Sequence, residues 1–221
     1  MVMNKMTGEK VFVSWSGGKD SYLSLLKARE AGMEPGNLLT FVNKEGCSMS
    51  HGLPLQLLKN QARALVLPQV LEPVTWGEYE DSFHRVAGEL KLKGFTGGVF
   101  GDINLPEHRS WVENACSRAA VNSYLPLWGM EEEDILAELL QRNAELLIVA
   151  LRSDLLAEKW LGTILGRAFI QELKNKGLSP CGEAGEYHTL VIHGPLFKKR
   201  LEVKFSGYRQ VEKVSFLNYI L

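Results

Sequence analysis

Short apolar runs alternate with longer stretches of helical spacing through the first 130 residues. Lys10, Val11, Phe12, Val13 and Ser14 read as a buried strand, and residues 22–31 as a helix stopped by Gly32. Residues 38–42 predict a second strand. Residues 55–67 carry apolar positions three and four apart and are stopped by Pro68. Residues 69–74 predict a third strand, 78–93 an amphipathic helix ending at Gly94, and 97–100 a short buried strand. A helix over 111–121 and a fifth strand over 124–128 complete this part. Strand and helix in regular order imply a parallel sheet with helices on both faces, an α/β doubly wound fold. The common order for five such strands is 3-2-1-4-5, which makes strands one and four neighbours.

The rest of the chain is less regular. Residues 131–142 open with four acidic residues, Glu131 to Asp134, read as a charged first helical turn and nothing more. Residues 146–151 predict an apolar strand, 160–176 a helix, 190–193 a strand, and 201–205 and 211–219 terminal strands. No internal repeat, low-complexity tract or long linker interrupts the pattern. A boundary is expected near 128–131, giving an N-terminal domain over 1–128 and a smaller α/β domain over 129–221.

The first strand runs straight into Ser16-Gly17-Gly18-Lys19-Asp20-Ser21 and then into a helix. Two glycines let backbone N–H groups approach an anion, and the first helical turn adds unpaired donors and the positive end of the dipole. The string is too short for the common P-loop, but strand, glycine turn and helix together predict nucleotide binding. In a parallel sheet, ligands bind at the carboxyl ends of the strands. Ser14 and residues 16–21 lie at such an end, and so do Gly101 and Asp102 after the fourth strand; both loops are expected to line one crevice. For Asp102 a magnesium or ribose contact stands beside an Asx-turn role.

Composition narrows the classes. The chain has 221 residues, 45% of them hydrophobic, enough for a sizeable core. Charges nearly balance, 25 basic against 26 acidic, so no general field for nucleic acid is expected. The tightest basic cluster, Lys198-Lys199-Arg200, is read as a solvated strand edge. No apolar run reaches the length of a membrane span, and residues 1–10 lack the apolar core of a signal peptide. The expected compartment is the cytoplasm, with Cys47, Cys116 and Cys181 as reduced thiols: their number is odd, and their spacing fits neither a disulfide framework nor a zinc site.

A second polar landmark is Cys181-Gly182-Glu183-Ala184-Gly185-Glu186-Tyr187-His188-Thr189. From the residues alone, Glu183 and Glu186 suit Mg²⁺ binding, proton acceptance or amine positioning, and equally a solvated loop with two capping carboxylates. His188 suits a proton shuttle near neutral pH, or a strand-edge histidine bonded to backbone. His51, after the second strand, suits an adenine or acceptor contact or a structural role. Trp128, His108 and Arg109 are further candidates for reaching an acceptor.

The string Ser16-Gly17-Gly18-Lys19-Asp20-Ser21 resembles the PP-loop of the ATP pyrophosphatases, a branch of the adenine nucleotide α-hydrolase-like (HUP) folds. The second landmark resembles the Gly-Glu-Gly-Gly-Glu-(Tyr/Phe)-His/Glu-Thr string of the diphthine–ammonia ligase family. Met49-Ser50-His51, Gln61-Ala62-Arg63-Ala64-Leu65, Pro126-Leu127-Trp128-Gly129 and Trp160-Leu161-Gly162 agree with it, so the resemblance spans residues 11 to about 199. Ala184 departs from it, standing where the family usually has glycine.

The resemblance implies an AMP-forming amide ligase using ATP, Mg²⁺ and free ammonium. Ser16, Gly17, Gly18 and Ser21 would hold the leaving pyrophosphate, Lys19 would balance its charge, and Asp20 would help hold the metal. Glu183, Glu186, His51 and Trp128 would serve the acceptor side, with His188 moving a proton. The implied acceptor is the diphthine side chain of a translation elongation factor. The same enzyme type with a small-molecule acid as acceptor, and an ATP sensor without turnover, stay open. A tRNA thiolase of the same fold fits less well, since there is no Cys-x-x-Cys and no basic surface.

Overall fold

The computed structural model describes residues 8–49 and 51–220. The polar start over residues 1–7 and Ser50 of the Met49-Ser50-His51 match lie outside the described residues. The chain divides into two compact units. Of the described residues, one unit holds those up to Ser16 and those from Asp20 to Met130; the other holds Gly17–Lys19 and those from Glu131 onward.

The first unit is a five-stranded parallel sheet. Its strands are β1 (Lys10–Ser14), β2 (Glu34–Val42), β3 (Gln69–Pro73), β4 (Gly97–Val99) and β5 (Asn122–Tyr124), in the order β3-β2-β1-β4-β5. Every pairing is parallel, with Val13 opposite Leu38 on one side and Val99 on the other. The connecting helices are α1 (Lys19–Glu30), α2 (Leu55–Leu65), α3 (Tyr79–Leu92) and α4 (Pro106–Arg118). Val11, Phe12 and Val13 are fully buried, as a central strand covered on both faces requires.

One core cluster gathers Phe12, Leu39, Phe41, Phe83, Val86, Leu90, Phe100, Val112 and Cys116. Its rings meet edge-on, Phe12 with Phe83 at 6.3 Å and with Phe100 at 6.2 Å between centroids. This explains the glycines of β4. A Cβ on Gly98 would lie 2.5 Å from the Phe12 ring, and one on Gly97 2.5 Å from the Tyr124 ring. Neighbouring aromatics already fill the space a side chain would take.

Several boundaries depart from the sequence reading. Strand β2 begins at Glu34, four residues early, because it continues alongside β1 as far as Lys10. The fifth strand covers Asn122–Tyr124 rather than 124–128: its ladder ends with β4, and residues 125–128 turn, with Trp128 N–H donating to the Leu125 carbonyl. Helix α4 starts at Pro106, the residue that suits a first helical position.

The second unit is a four-stranded antiparallel sheet with two helices. Helix α5 (Glu132–Gln141) and strand β6 (Glu145–Arg152) come first. Helix α6 (Arg167–Asn175) and strands β7 (Tyr187–His193), β8 (Lys204–Val211) and β9 (Val214–Ile220) follow, with sheet order β7-β6-β9-β8. Strand β6 is central over part of its length and buried from Leu146 to Leu151. Helix α6 begins seven residues later than its apolar spacing predicts. Trp160 ends a single 3₁₀ turn, and residues 161–166 pass along β6, where Leu147 bridges to Ile164. Strand β8 starts at Lys204, so the expected 201–205 strand is mostly loop, and the β8–β9 hairpin turns at Glu212 and Lys213 inside the expected 211–219 strand. Residues 198–200 form an exposed bend rather than a strand edge, with Arg200 Nε donating to Glu145 Oε2 at 2.8 Å. All three cysteines are free thiols. Among the described residues no helix is long and apolar enough to cross a membrane.

Candidate active site

At the carboxyl ends of β1, β2 and β4 the first unit holds a cavity of about 230 Å³. Ser14, Trp15, Ser16, Asp20 and Ser21 line it from the first strand, its loop and α1. Leu39, Thr40, Phe41 and Met49 come from β2 and the loop after it, Trp76 from the 3₁₀ turn that precedes α3, Tyr79 from the first residue of α3, and Gly101 and Asp102 from the loop after β4. The expected pairing of the first and fourth strand loops is thus present. Ser16 and Ser21 bring their hydroxyl oxygens to 3.2 Å. Gly101 sits so close to α1 that a Cβ there would lie 3.0 Å from the Asp20 carbonyl carbon and from the Ser21 nitrogen. Glycine at 101 is therefore what lets the two loops approach.

The electrostatics of this cavity are acidic. Burial raises the Asp102 carboxyl above the ordinary carboxylate range, and the nearby Asp20 charge raises it further. His108, 3.3 Å away through Nδ1, works in the opposite direction without reversing the shift. Burial and the Asp102 charge push Tyr79 up to about 12, so its phenol keeps its proton. Asp20 and Asp102, beside the hydroxyls of Ser16 and Ser21, form an oxygen donor set suited to Mg²⁺. Among the described residues no group of three or more His, Cys, Asp or Glu gathers for a metal, so a cation held here needs further oxygens from a nucleotide or water.

Trp15 is 2% exposed and its indole N–H donates to Gln61 Oε1 at 3.0 Å. The Thr40 hydroxyl donates to the Trp15 carbonyl at 2.7 Å. These bonds fix the floor of the cavity. Sequence reasoning missed Thr40, Phe41, Met49, Trp76 and Tyr79. The rule that placed Ser14 and Asp102 at strand ends points equally to the ends of β2 and β3, and that was the available signal.

Gly17, Gly18 and Lys19 pack within the second unit. Gly17, at φ 85°, accepts the Val191 N–H at 3.0 Å through its carbonyl. The Lys19 N–H donates to Thr189 Oγ1 at 3.1 Å, and Lys19 Nζ stands 5.5 Å from the centre of the Tyr187 ring. The side chain is 5% exposed. His188, on the same strand, is held down to about 4, first by burial and then by the Lys19 charge. Its imidazole is neutral near pH 7, a hydrogen-bonding group there and not a titrating one.

The loop over residues 179–186 is built around carboxylates. Glu186 is 4% exposed; its Oε1 accepts the Ser179 N–H at 3.2 Å and its Oε2 the Ala184 N–H at 3.0 Å. Ser179 Oγ accepts the Glu183 N–H at 3.0 Å. Glu132 Oε2 accepts from the Ser179 hydroxyl and from the Cys181 N–H, the latter at 2.7 Å. The acidic start of α5 is therefore more than a charged first turn, because one of its carboxylates anchors the loop from 47 residues away. Glu183 is partly exposed in this loop. Ala184 is exposed and absent from the residues with positive φ, so its methyl group meets no backbone penalty. The flanking Gly182 and Gly185, at φ 74° and 78°, carry the left-handed turns.

Other expected acceptor contacts lie elsewhere in the first unit. His51 is partly buried in the turn before α2, and Met49 rather than His51 lines the cavity. Trp128 packs under the Arg109 guanidinium, 5.0 Å from its ring, outside the cavity lining.

A five-stranded parallel sheet in this order, with a serine–glycine loop after its first strand and a polar cavity at its strand ends, defines a doubly wound α/β protein with its ligand crevice at the carboxyl edge. Residues 9–123 match the family described as the diphthamide synthase N-terminal domain, and residues 131–219 match the diphthamide synthase C-terminal domain. The chain belongs to the diphthamide synthase family. It is similar to the diphthine–ammonia ligase of Rattus norvegicus, 32% identical over 158 residues that cover 70% of this chain and 59% of that protein. It is also similar to the diphthine–ammonia ligase of Homo sapiens, 29% identical over 217 residues, 86% of this chain and 81% of that protein. The enzyme of the same name from Schizosaccharomyces pombe is 36% identical over 104 residues, 46% of this chain and 17% of that protein.

Proposed function

We propose that this protein is an ATP-dependent amide ligase that activates a carboxylate as its adenylate and then transfers it to ammonia. The observation that carries the reading is the cavity in which Ser14, Ser16, Asp20, Ser21, Gly101 and Asp102 converge at the strand ends of the parallel sheet. The diphthine–ammonia ligase names of its relatives support diphthine as the acceptor; its carboxylate, carried on a translation elongation factor, is the acceptor in this proposal. The 1–128 part is the ATP-binding domain in this proposal, 129–221 the acceptor-side domain, and the setting is the cytoplasm.

An acceptor carboxylate oxygen attacks the α-phosphorus of ATP, the bond to the β-phosphate oxygen breaks, and pyrophosphate leaves. Ammonia then attacks the acyl carbon; the C–O bond to AMP breaks, and the proton lost by nitrogen passes to a base. Residues 16–21 hold the leaving pyrophosphate, with hydroxyls from Ser16 and Ser21 and positive charge from Lys19. Asp20 and Asp102 would hold Mg²⁺, which supplies charge neutralisation for the phosphates. Glu183 is the carboxylate proposed to receive the ammonia proton. Glu186 acts by holding the loop that carries Glu183, since both its oxygens accept backbone N–H groups. A neutral His188 offers one ring nitrogen as a donor and the other as an acceptor.

Incubation with ATP, Mg²⁺, ammonium and a diphthine-bearing elongation factor should yield AMP and pyrophosphate in equal amounts, dependent on ammonium. Lys19→Ala should lower this turnover at least 100-fold. Release of ADP, or ATP binding without AMP formation under these conditions, overturns the proposal. The second outcome would make the protein a nucleotide sensor. Ammonium-dependent AMP formation with a small-molecule acid but not with the elongation factor would keep the reaction and change the acceptor.

A further inference from the structure

Trp76 is 73% exposed, yet it lines the cavity. Exposed apolar side chains are common on protein surfaces and need no explanation singly. Leu92, 90% exposed at the end of α3, is one of those. Trp76 differs in being both supported and aimed. Its ring stacks on Tyr79 at 6.0 Å between centroids with 28° between planes. Tyr79 in turn packs on Phe41 at 4.5 Å and on Trp111 at 5.5 Å, which ties the ladder to the core. The backbone that carries Trp76 is locked by a reciprocal cap. Glu78 Oε2 accepts the Thr75 hydroxyl at 2.6 Å and the Thr75 N–H at 3.2 Å. An indole held in place at the mouth of a cavity, backed on one face and open to solvent, is the arrangement that stacks a planar aromatic ligand.

The geometry points to Trp76 as the stacking platform for the purine base of the nucleotide. The inference rests on the proposal that this cavity binds ATP, and it adds which residue grips the base. Tyr79 and Phe41 are positioning residues behind the indole. Ser16, Asp20 and Ser21 line the same cavity and remain for the phosphates. The base would then be held by ring overlap, and the phosphates by hydroxyls and backbone donors.

The test separates base from phosphate. In the unaltered chain, ATP should quench tryptophan fluorescence while inorganic triphosphate should not, and Trp76→Phe should abolish the quench. By titration calorimetry, Trp76→Ala should bind ATP about tenfold more weakly, Trp76→Phe within about threefold of the parent, and all three should bind inorganic triphosphate equally. Unchanged ATP affinity in Trp76→Ala, or a parallel loss of triphosphate binding, overturns the inference and leaves the ATP reading standing. Failure of the unaltered chain to bind ATP removes both.

Discussion

Among the residues singled out by the two landmarks, His188 is the one whose chemistry the tertiary structure changes most. An unfolded chain protonates this imidazole below about 6.5, whereas the folded chain does so only below about 4. Between those values the unfolded state binds more protons. The contribution to stability is therefore complete above 6.5 and is lost as pH falls toward 4. Replacing His188 with Gln should flatten this acid limb, making the variant's loss of stability between pH 6.5 and pH 4 smaller by about 2–3 kcal/mol. Urea titrations of parent and variant at both pH values measure it; identical pH dependence would remove the buried neutral imidazole from the account. The residue type and its polar neighbours were visible in the sequence. The burial that neutralises it was not, because Lys19 lies 169 positions away along the chain and approaches only through folding. Ala184 teaches the converse. A departure from the family string is harmless where the neighbouring glycines already take the left-handed turns.

At the scale of elements, helix α5 and the loop over 179–186 act as one device. Two of the loop's donors, the Ser179 hydroxyl and the Cys181 N–H, end on the single Glu132 carboxylate. Hydrogen bonds to a charged acceptor each contribute about 1.5–3 kcal/mol, and an orphaned buried donor costs a similar amount. Glu132→Ala should destabilise the second unit by about 2–3 kcal/mol and speed amide exchange at Cys181 and Glu183 more than in strand β6. Mass-resolved hydrogen exchange distinguishes this from uniform loosening, which would deny Glu132 an anchoring role. Strands and helices with strong periodicity were legible because side-chain period is a local property: β1 coincides with its predicted bounds and β3 differs by one residue. Helix α6 was misjudged at its start because Trp160, Leu161, Ile164 and Leu165 mimic helical spacing. Leu161 and Leu165 are in fact buried from an irregular segment running beside β6.

For the molecule as a whole, the proposed ligand offers a direct thermodynamic check. A ligand that binds only the folded state stabilises it by about 2.7 kcal/mol at one hundred times its dissociation constant. ATP with Mg²⁺ at that concentration should raise the calorimetric melting temperature by about 5–10 °C, with inorganic triphosphate giving a smaller shift. No shift with ATP would contradict the nucleotide reading. The amino-acid sequence by itself determined the alternation of strand and helix, the parallel five-stranded sheet, and the two polar landmarks, since all of these follow from residue spacing within a few turns of chain. Only the tertiary structure decided which side chains share a cavity, that Glu186 spends both oxygens on its own loop, that Glu132 reaches across to hold it, and that Trp76 stands open on an aromatic ladder. Those facts depend on contacts between segments far apart in the chain, and such contacts are selected by packing, which no local pattern encodes.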